Sequence, residues 1–258
     1  MKKGEFQTIA RLSWELFSRD IVSRYRGSKL GYIWLLISPL ALAGAWMYIR
    51  RMGGMNMGEE QTSYFAYVTT GMFLWQGFTR QLQSSMNQLA NSRHLFSKYV
   101  FPWEALVLSG WGEAMVEFAI SIAVLVVLLA IRGSLSVTGL LISVPWMLSL
   151  LLLGGGIGLI LAPLSLLYQD VGRALNLILQ IMFFMIPIVY ARPTTGMVRE
   201  VVEWNPVAVL LMVARDEILL GQANLLLRGF VCCFLSVGIV VLGFAFLRVA
   251  RPQLAVAS

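Results

Sequence analysis

Charge is scarce in this chain. Only 13% of its 258 residues are Asp, Glu, Lys or Arg, while hydrophobic types make up 58%. A soluble domain carries about 25% charged and about 45–50% apolar residues. The shortfall excludes a soluble enzyme, a disordered tail and a nucleic-acid-binding domain with a charged surface, and it leaves a polytopic membrane protein. Histidine is nearly missing: His94 stands alone. The two cysteines, Cys232 and Cys233, are adjacent inside an apolar run. Adjacent cysteines rarely bridge each other, so no disulfide framework follows and the redox compartment is not legible. No G-x-x-x-x-G-K-[ST] phosphate loop occurs, so the chain does not cradle ATP in that way. Within the apolar runs carboxylates pair only at Glu113 and Glu117, which counts against a membrane-embedded glycosyl or phosphate transferase. The absence of a repeated pore motif counts against a passive channel. The N-terminus, MKKGEFQTIARLSWELF, has no apolar stretch of signal length before Arg19, so no cleaved signal peptide is expected.

What is present is a series of apolar runs. A span needs about 20 mostly apolar residues. Six runs qualify: residues 31–48, 63–81, 104–131, 137–164, 174–191 and 229–247. The second is the most polar, with Thr69, Thr70, Gln76 and Arg80, and such a span survives in lipid only inside a bundle or beside a cavity. Residues 83–102 are too hydrophilic to cross. With both termini cytoplasmic, and counting Arg80 at the inner end of the second span, the inner side holds 13 Lys and Arg and the outer side 7, which favours that orientation. The net charge of +7 is then an orientation signal and not a nucleic-acid footprint.

Residues 6–26 are periodic as an amphipathic helix lying along the inner leaflet. Arg11, Glu15, Arg19 and Arg26 share one side, and Phe6, Ile9, Leu16, Phe17 and Ile21 the other. Asp20 and Arg24 fall on the apolar side at i,i+4, which adds a protein partner to the simpler reading of a membrane anchor. Glu113 and Glu117 share a face of the third span. A structural pairing, with Arg80 as one partner, is favoured over a proton relay. Gly154 and Gly158 form a small-xxx-small step for close helix approach. Pro187 should kink the fifth span. Residues 204–221 suit a re-entrant helical hairpin, with a helix lying on the outer surface as the other reading.

Four motifs in order resemble one family. The run Arg19-Asp20-Ile21-Val22-Ser23-Arg24-Tyr25-Arg26-Gly27-Ser28-Lys29-Leu30-Gly31-Tyr32-Ile33-Trp34, closing on Ser38-Pro39-Leu40, is similar to the approach to the first span in ABC-2 type exporter permeases. Within these, the polysaccharide exporters for O-antigen, capsule and teichoic acid carry the nearest pattern. Asn91 to Pro102 resembles their cytoplasmic loop, Tyr168-Gln169-Asp170-Val171 the element after the fourth span, and Asn205-Pro206 with Arg215 and Leu220-Gly221 the external segment. Gln169 stands where a basic residue is frequent, and Ser38 where Asn is frequent.

The resemblance implies an all-α membrane protein: an interface helix within residues 1–30, then a transmembrane domain over residues 31–258 with six spans and an external helical hairpin between spans five and six. It implies a non-catalytic half-transporter in the bacterial cytoplasmic membrane. Two copies would form the channel for a lipid-linked polysaccharide, and two cytoplasmic ATPase subunits would hold ATP and Mg. Arg93, His94, Leu95, Phe96, Lys98 and Tyr99, with Tyr168, Asp170 and Arg173, would couple to the ATPase. A solvated basic loop is the plainer reading of residues 92–99. Arg19, Asp20, Arg24, Tyr25 and Arg26 would belong to the interface helix. Asn205, Pro206, Arg215 and Gly221 would belong to the external gate. Aromatic faces bind sugars, and Tyr67, Trp75, Gln76 and Tyr190 are the expected channel lining where spans one, two and five meet. An exporter of the same fold for a drug, haem or lipid is the nearest alternative.

Overall fold

The computed structural model describes residues 3–25, 33–52, 63–91, 102–193 and 195–257. Among these, every regular element is helical. In chain order they are α1 (Lys3–Tyr25), α2 (Ile33–Arg51), α3 (Tyr64–Asn91), α4 (Trp103–Ile131), α5 (Val137–Leu167), α6 (Asp170–Met185), α7 (Gly196–Trp204), α8 (Pro206–Leu220) and α9 (Leu226–Ala257). By length and composition, Trp103–Ile131, Val137–Leu167 and Leu226–Ala250 can each cross a bilayer core of about 30 Å. The apolar stretch of α2, Leu36–Ile49, is shorter.

α5 is the centre of the bundle. Ser136 starts it by accepting a hydrogen bond from the Gly139 N–H at 3.1 Å. Its middle is Leu and Gly, and the missing side chains decide what packs there. A Cβ at Gly154 would sit 2.8 Å from the Phe78 carbonyl oxygen, and one at Gly158 2.3 Å from the Leu82 carbonyl oxygen. These positions let the α3 backbone lie directly on α5. Between such helices dispersion at close approach replaces the hydrophobic drive that lipid cannot supply. The apolar side chains of α3, from Phe73 to Leu82, and of α8, from Val207 to Ala214, complete the core around it.

α3 runs for 28 residues, about 42 Å. It therefore continues ten residues past the apolar run read as the second span, as a polar extension reaching Asn91. A second, smaller core lies at that end: Leu89 meets Leu16 of α1, Trp103 and Leu106 of α4 and Leu247 of α9. There Phe17 of α1 rests beside Gly112 of α4. Arg248 of α9 comes within 3.9 Å of Glu104 at the start of α4. α1 and the end of α9 thus occupy the same end of the bundle. On α1, Arg11 and Glu15 form an exposed ion pair at 2.9 Å while Leu16 is buried, in keeping with its amphipathic period.

The fifth apolar run is not one kinked helix. α6 stops at Met185, and residues 186–190 are irregular. Pro187 has no N–H to continue the ladder, and it biases the residue before it away from the helical region. Ile186 accordingly takes φ −93° and ψ 135°. The expected kink is a helix end.

Valine at position 158 should force α3 off α5. Gly158→Val should destabilise the folded chain by about 1–3 kcal/mol or more, seen as a lower thermal midpoint in detergent and a lower level in membranes.

Candidate transport site

The broken segment after α6 needs partners for its backbone, because exposed carbonyls deep in a bundle are costly. Three side chains supply them. Tyr64 Oη donates to the Val189 carbonyl at 2.9 Å. Tyr67 Oη donates to the Tyr190 carbonyl at 3.1 Å and to that of Pro187 at 3.3 Å. Arg215 donates to the Pro187 carbonyl at 2.7 Å. Arg215 is only 1% exposed, and its guanidinium lies 3.5 Å from the centre of the Tyr67 ring. A desolvated cation over an aromatic face contributes about 2 kcal/mol or more.

α8 is placed to deliver that arginine. Asn205 caps it, accepting from the N–H groups of Val207 and Ala208 at 3.0 and 3.4 Å. Pro206 occupies the first helical position, where its missing N–H is no loss. At the other end Gly221 closes the helix in the left-handed region, at φ 69°. The four residues expected as an external gate therefore form one unit: a cap, a start, a clamp and a stop.

A second unit lies on α7. Glu203 is buried and receives three arginines: Arg192 at 2.7 Å, Arg199 at 2.8 Å and Arg228 at 2.5 Å. The hydrogen bond from Arg199, then that from Arg192, holds its carboxyl down at about 2. The hub joins the segment before α7 to the start of α9. Its chain neighbour Trp204 is 81% exposed. Sequence reading passed over Glu203. The i,i+4 spacing from Arg199 was a usable signal, whereas the link to Arg228 is not local.

Between α2, α3 and α6 lies a cavity of about 580 Å³. Trp75, Phe183 and Phe184 give it aromatic walls, and Gln76, Gln180 and Asn176 give it amides. Of the residues expected as channel lining, Trp75 and Gln76 line this cavity. Tyr67 and Tyr190 lie outside its lining: Tyr67 is buried under Arg215, and the Tyr190 hydroxyl donates to the Met185 carbonyl at 3.0 Å.

Toward the far end of α3, Arg80 pairs with buried Glu117 at 2.9 Å. Glu113, one turn earlier on α4, is also buried. Tyr168 caps α5 with its backbone N–H, and Asp170 and Arg173 make an exposed ion pair at 2.9 Å beside it. Asp20 accepts from Arg19 at 2.8 Å. Arg26 and the segment holding Arg93, His94, Leu95, Phe96, Lys98 and Tyr99 lie outside the described residues, as do the side chains of Arg24 and Tyr25.

A long helical bundle with a broken, clamped helix and a partly aromatic cavity suits transport. Residues 11–219 match the family described as ABC-2 type transporter. The chain belongs to that family. As an ABC-2 type transporter it is a multi-pass membrane protein. It is 28% identical over 216 residues to an O-antigen export system permease protein, RfbA, of Klebsiella pneumoniae, covering 80% of each chain. A second Klebsiella pneumoniae protein of that name is 26% identical over 233 residues, covering 86% of this chain and 88% of the relative. The polysialic acid transport protein KpsM of Escherichia coli is 22% identical over 218 residues, covering 81% of each.

Arg215→Met keeps most of the volume but leaves the Pro187 carbonyl with only the longer hydrogen bond from Tyr67. It should lower stability by about 1–3 kcal/mol, and Tyr67→Phe, which keeps the ring face, by less, both read from thermal unfolding. The Glu203 hub gives a pH test. Its folded pKa lies below the ordinary carboxylate value of 4.5, so its stabilisation is full above about 4.5 and fades as pH falls toward about 2. The stability gap between the native chain and Glu203→Gln should stay constant from pH 8 to pH 5 and narrow below pH 4.5.

Proposed function

We propose that this chain is the membrane-spanning subunit of an ATP-driven exporter of lipid-linked polysaccharide. The cavity between α2, α3 and α6 carries that reading. Indole and phenyl faces stack on sugar rings, and amides bond their hydroxyls, and both kinds line this one space. The relatives named for O-antigen export and polysialic acid transport point to the same class of cargo.

In this reading the six spans are α2, α3, α4, α5, α6 and α9. α6, at 16 residues, reaches about 24 Å, and the extended residues after it make up the rest of a crossing. α7 and α8 form the external hairpin, with the Arg215 clamp as its anchor. Both termini face the cytoplasm, as the basic residues favour, and the membrane is the bacterial inner membrane. Two copies associate through the open sides of their α2–α3–α6 cavities and enclose one channel. Energy comes from two copies of a separate cytoplasmic ATPase, which hold the ATP and Mg. Residues 93–99 form the coupling knob, and Tyr168, Asp170 and Arg173 a smaller contact.

Deleting the chain should abolish surface polysaccharide and accumulate lipid-linked glycan inside the cell, measured by surface labelling and lipid extraction. The chain should co-purify with an ATPase, and Phe96→Asp should stop export while membrane levels stay normal. Unchanged surface polysaccharide in the deletion strain would overturn the reading.

A further inference from the structure

Below the aromatic cavity lies a second, different one. It holds about 230 Å³ between α3 and α4 and is lined by Arg80, Gln83, Ser84, Asn87, Gln88 and Asn91 of α3, facing Ala114 and Glu117 of α4. A single wall residue, Ala114, is apolar. Such a lining is unusual in a ligand pocket, which is mostly apolar with a few polar groups.

The polar residues are not scattered. Gln76, Arg80, Gln83, Asn87 and Asn91 recur at steps of three or four and so run as one stripe along α3. From Gln76 to Asn91 that stripe spans about 22 Å. Gln83 lines both cavities, so the two adjoin on either side of that residue. Gln83 itself donates to Asn176 of α6 at 3.0 Å, and Ser84 donates to the Gly110 carbonyl at 3.0 Å. Among the described residues no hydrogen bond engages the amides of Asn87, Gln88 or Asn91. Amides that line a recess without internal partners are available to a solute.

The charge of the pocket narrows the solute. Arg80 and Glu117 neutralise each other across it at 2.9 Å. A diphosphate would need an unpaired cation. Neutral hydroxyls need what the pocket offers: several amides and a hydroxyl, each able to donate or accept.

We propose that this pocket is a sugar-binding subsite, which takes neutral, hydroxyl-bearing rings of the glycan before they reach the aromatic cavity. The proposal rests on the exporter reading. It assigns the lipid's diphosphate to some other place and makes Asn87, Gln88 and Asn91 the recognising groups.

Cysteine protection tests it in the full transporter with its ATPase. Cys232 and Cys233 are replaced by Ala, and Ser84→Cys or Ala114→Cys, at wall positions beside the three recognising amides, is introduced as reporter. A small water-soluble maleimide should label either reporter. Lipid-linked glycan extracted from the same cells should slow labelling several-fold, and polyprenyl diphosphate without sugars should not. Failure of both reporters to label would show that the pocket is closed and overturn the proposal. So would equal labelling with and without glycan, and so would equal protection by polyprenyl diphosphate, which would make it a phosphate site. Surface polysaccharide made by the same variants in cells reports on the exporter reading separately, so an exporting variant with unprotected cysteines sinks the subsite alone.

Discussion

Arg215 on the Pro187 carbonyl is the contact on which the packing of α8 against the end of α6 depends. Pro187 ends α6 early and leaves a stretch of unpaired backbone inside a membrane bundle. Such backbone persists only where protein groups satisfy it. Arg215, Tyr64 and Tyr67 do so, and they come from two helices, α8 and α3. The same contact fixes where α8 lies, because a buried guanidinium has few places to go. It also joins α8 to the end of α6, a wall of the aromatic cavity. Any movement of α8 that withdraws Arg215 leaves the Pro187 carbonyl with only the longer hydrogen bond from Tyr67. Moving α8 therefore loosens the broken end of α6.

The seam between α3 and α5 depends on packing. α3 lies on α5 through the backbone contacts at Gly154 and Gly158. With that face committed, the polar stripe of α3 turns away from the core toward α4 and α6. One helix thus supplies both a tightly packed seam and the wall of two cavities. A single 28-residue helix with these two faces explains why the second apolar run is the most polar in the chain.

Much of this was legible in the sequence. The long apolar runs and the small-residue step of α5 announce themselves by composition and spacing. The Asn-Pro start and the Gly stop of α8 are local signals with local causes. Gln76 is legible at the cavity because polar residues in a span imply one, and Trp75 because aromatic faces suit sugars. The backbone role of Tyr67 and Tyr190 is not legible, since a tyrosine that serves a carbonyl looks the same in sequence as one that faces a channel. Pro187 was read as a kink because nothing local reveals that side chains 28 and about 120 residues away would support a full break. The three-arginine hub at Glu203 is hidden likewise, since Arg192 and Arg228 are distant from it in sequence.

The pairing of charges bears on how a polymer could pass. Arg80 is paired with Glu117 at the wall of the smaller cavity. What otherwise faces the two cavities is chiefly amide, hydroxyl and aromatic. Conduction requires sites attractive enough to enter and weak enough to leave, arranged in series. An unpaired charge would bind a phosphate tightly and stop it. Neutral amides along about 22 Å of α3, followed by aromatic walls, offer each sugar a modest contact that the next sugar can replace. On this view the scarcity of charge that makes the chain a membrane protein also suits its path to a long, repeating cargo rich in hydroxyls.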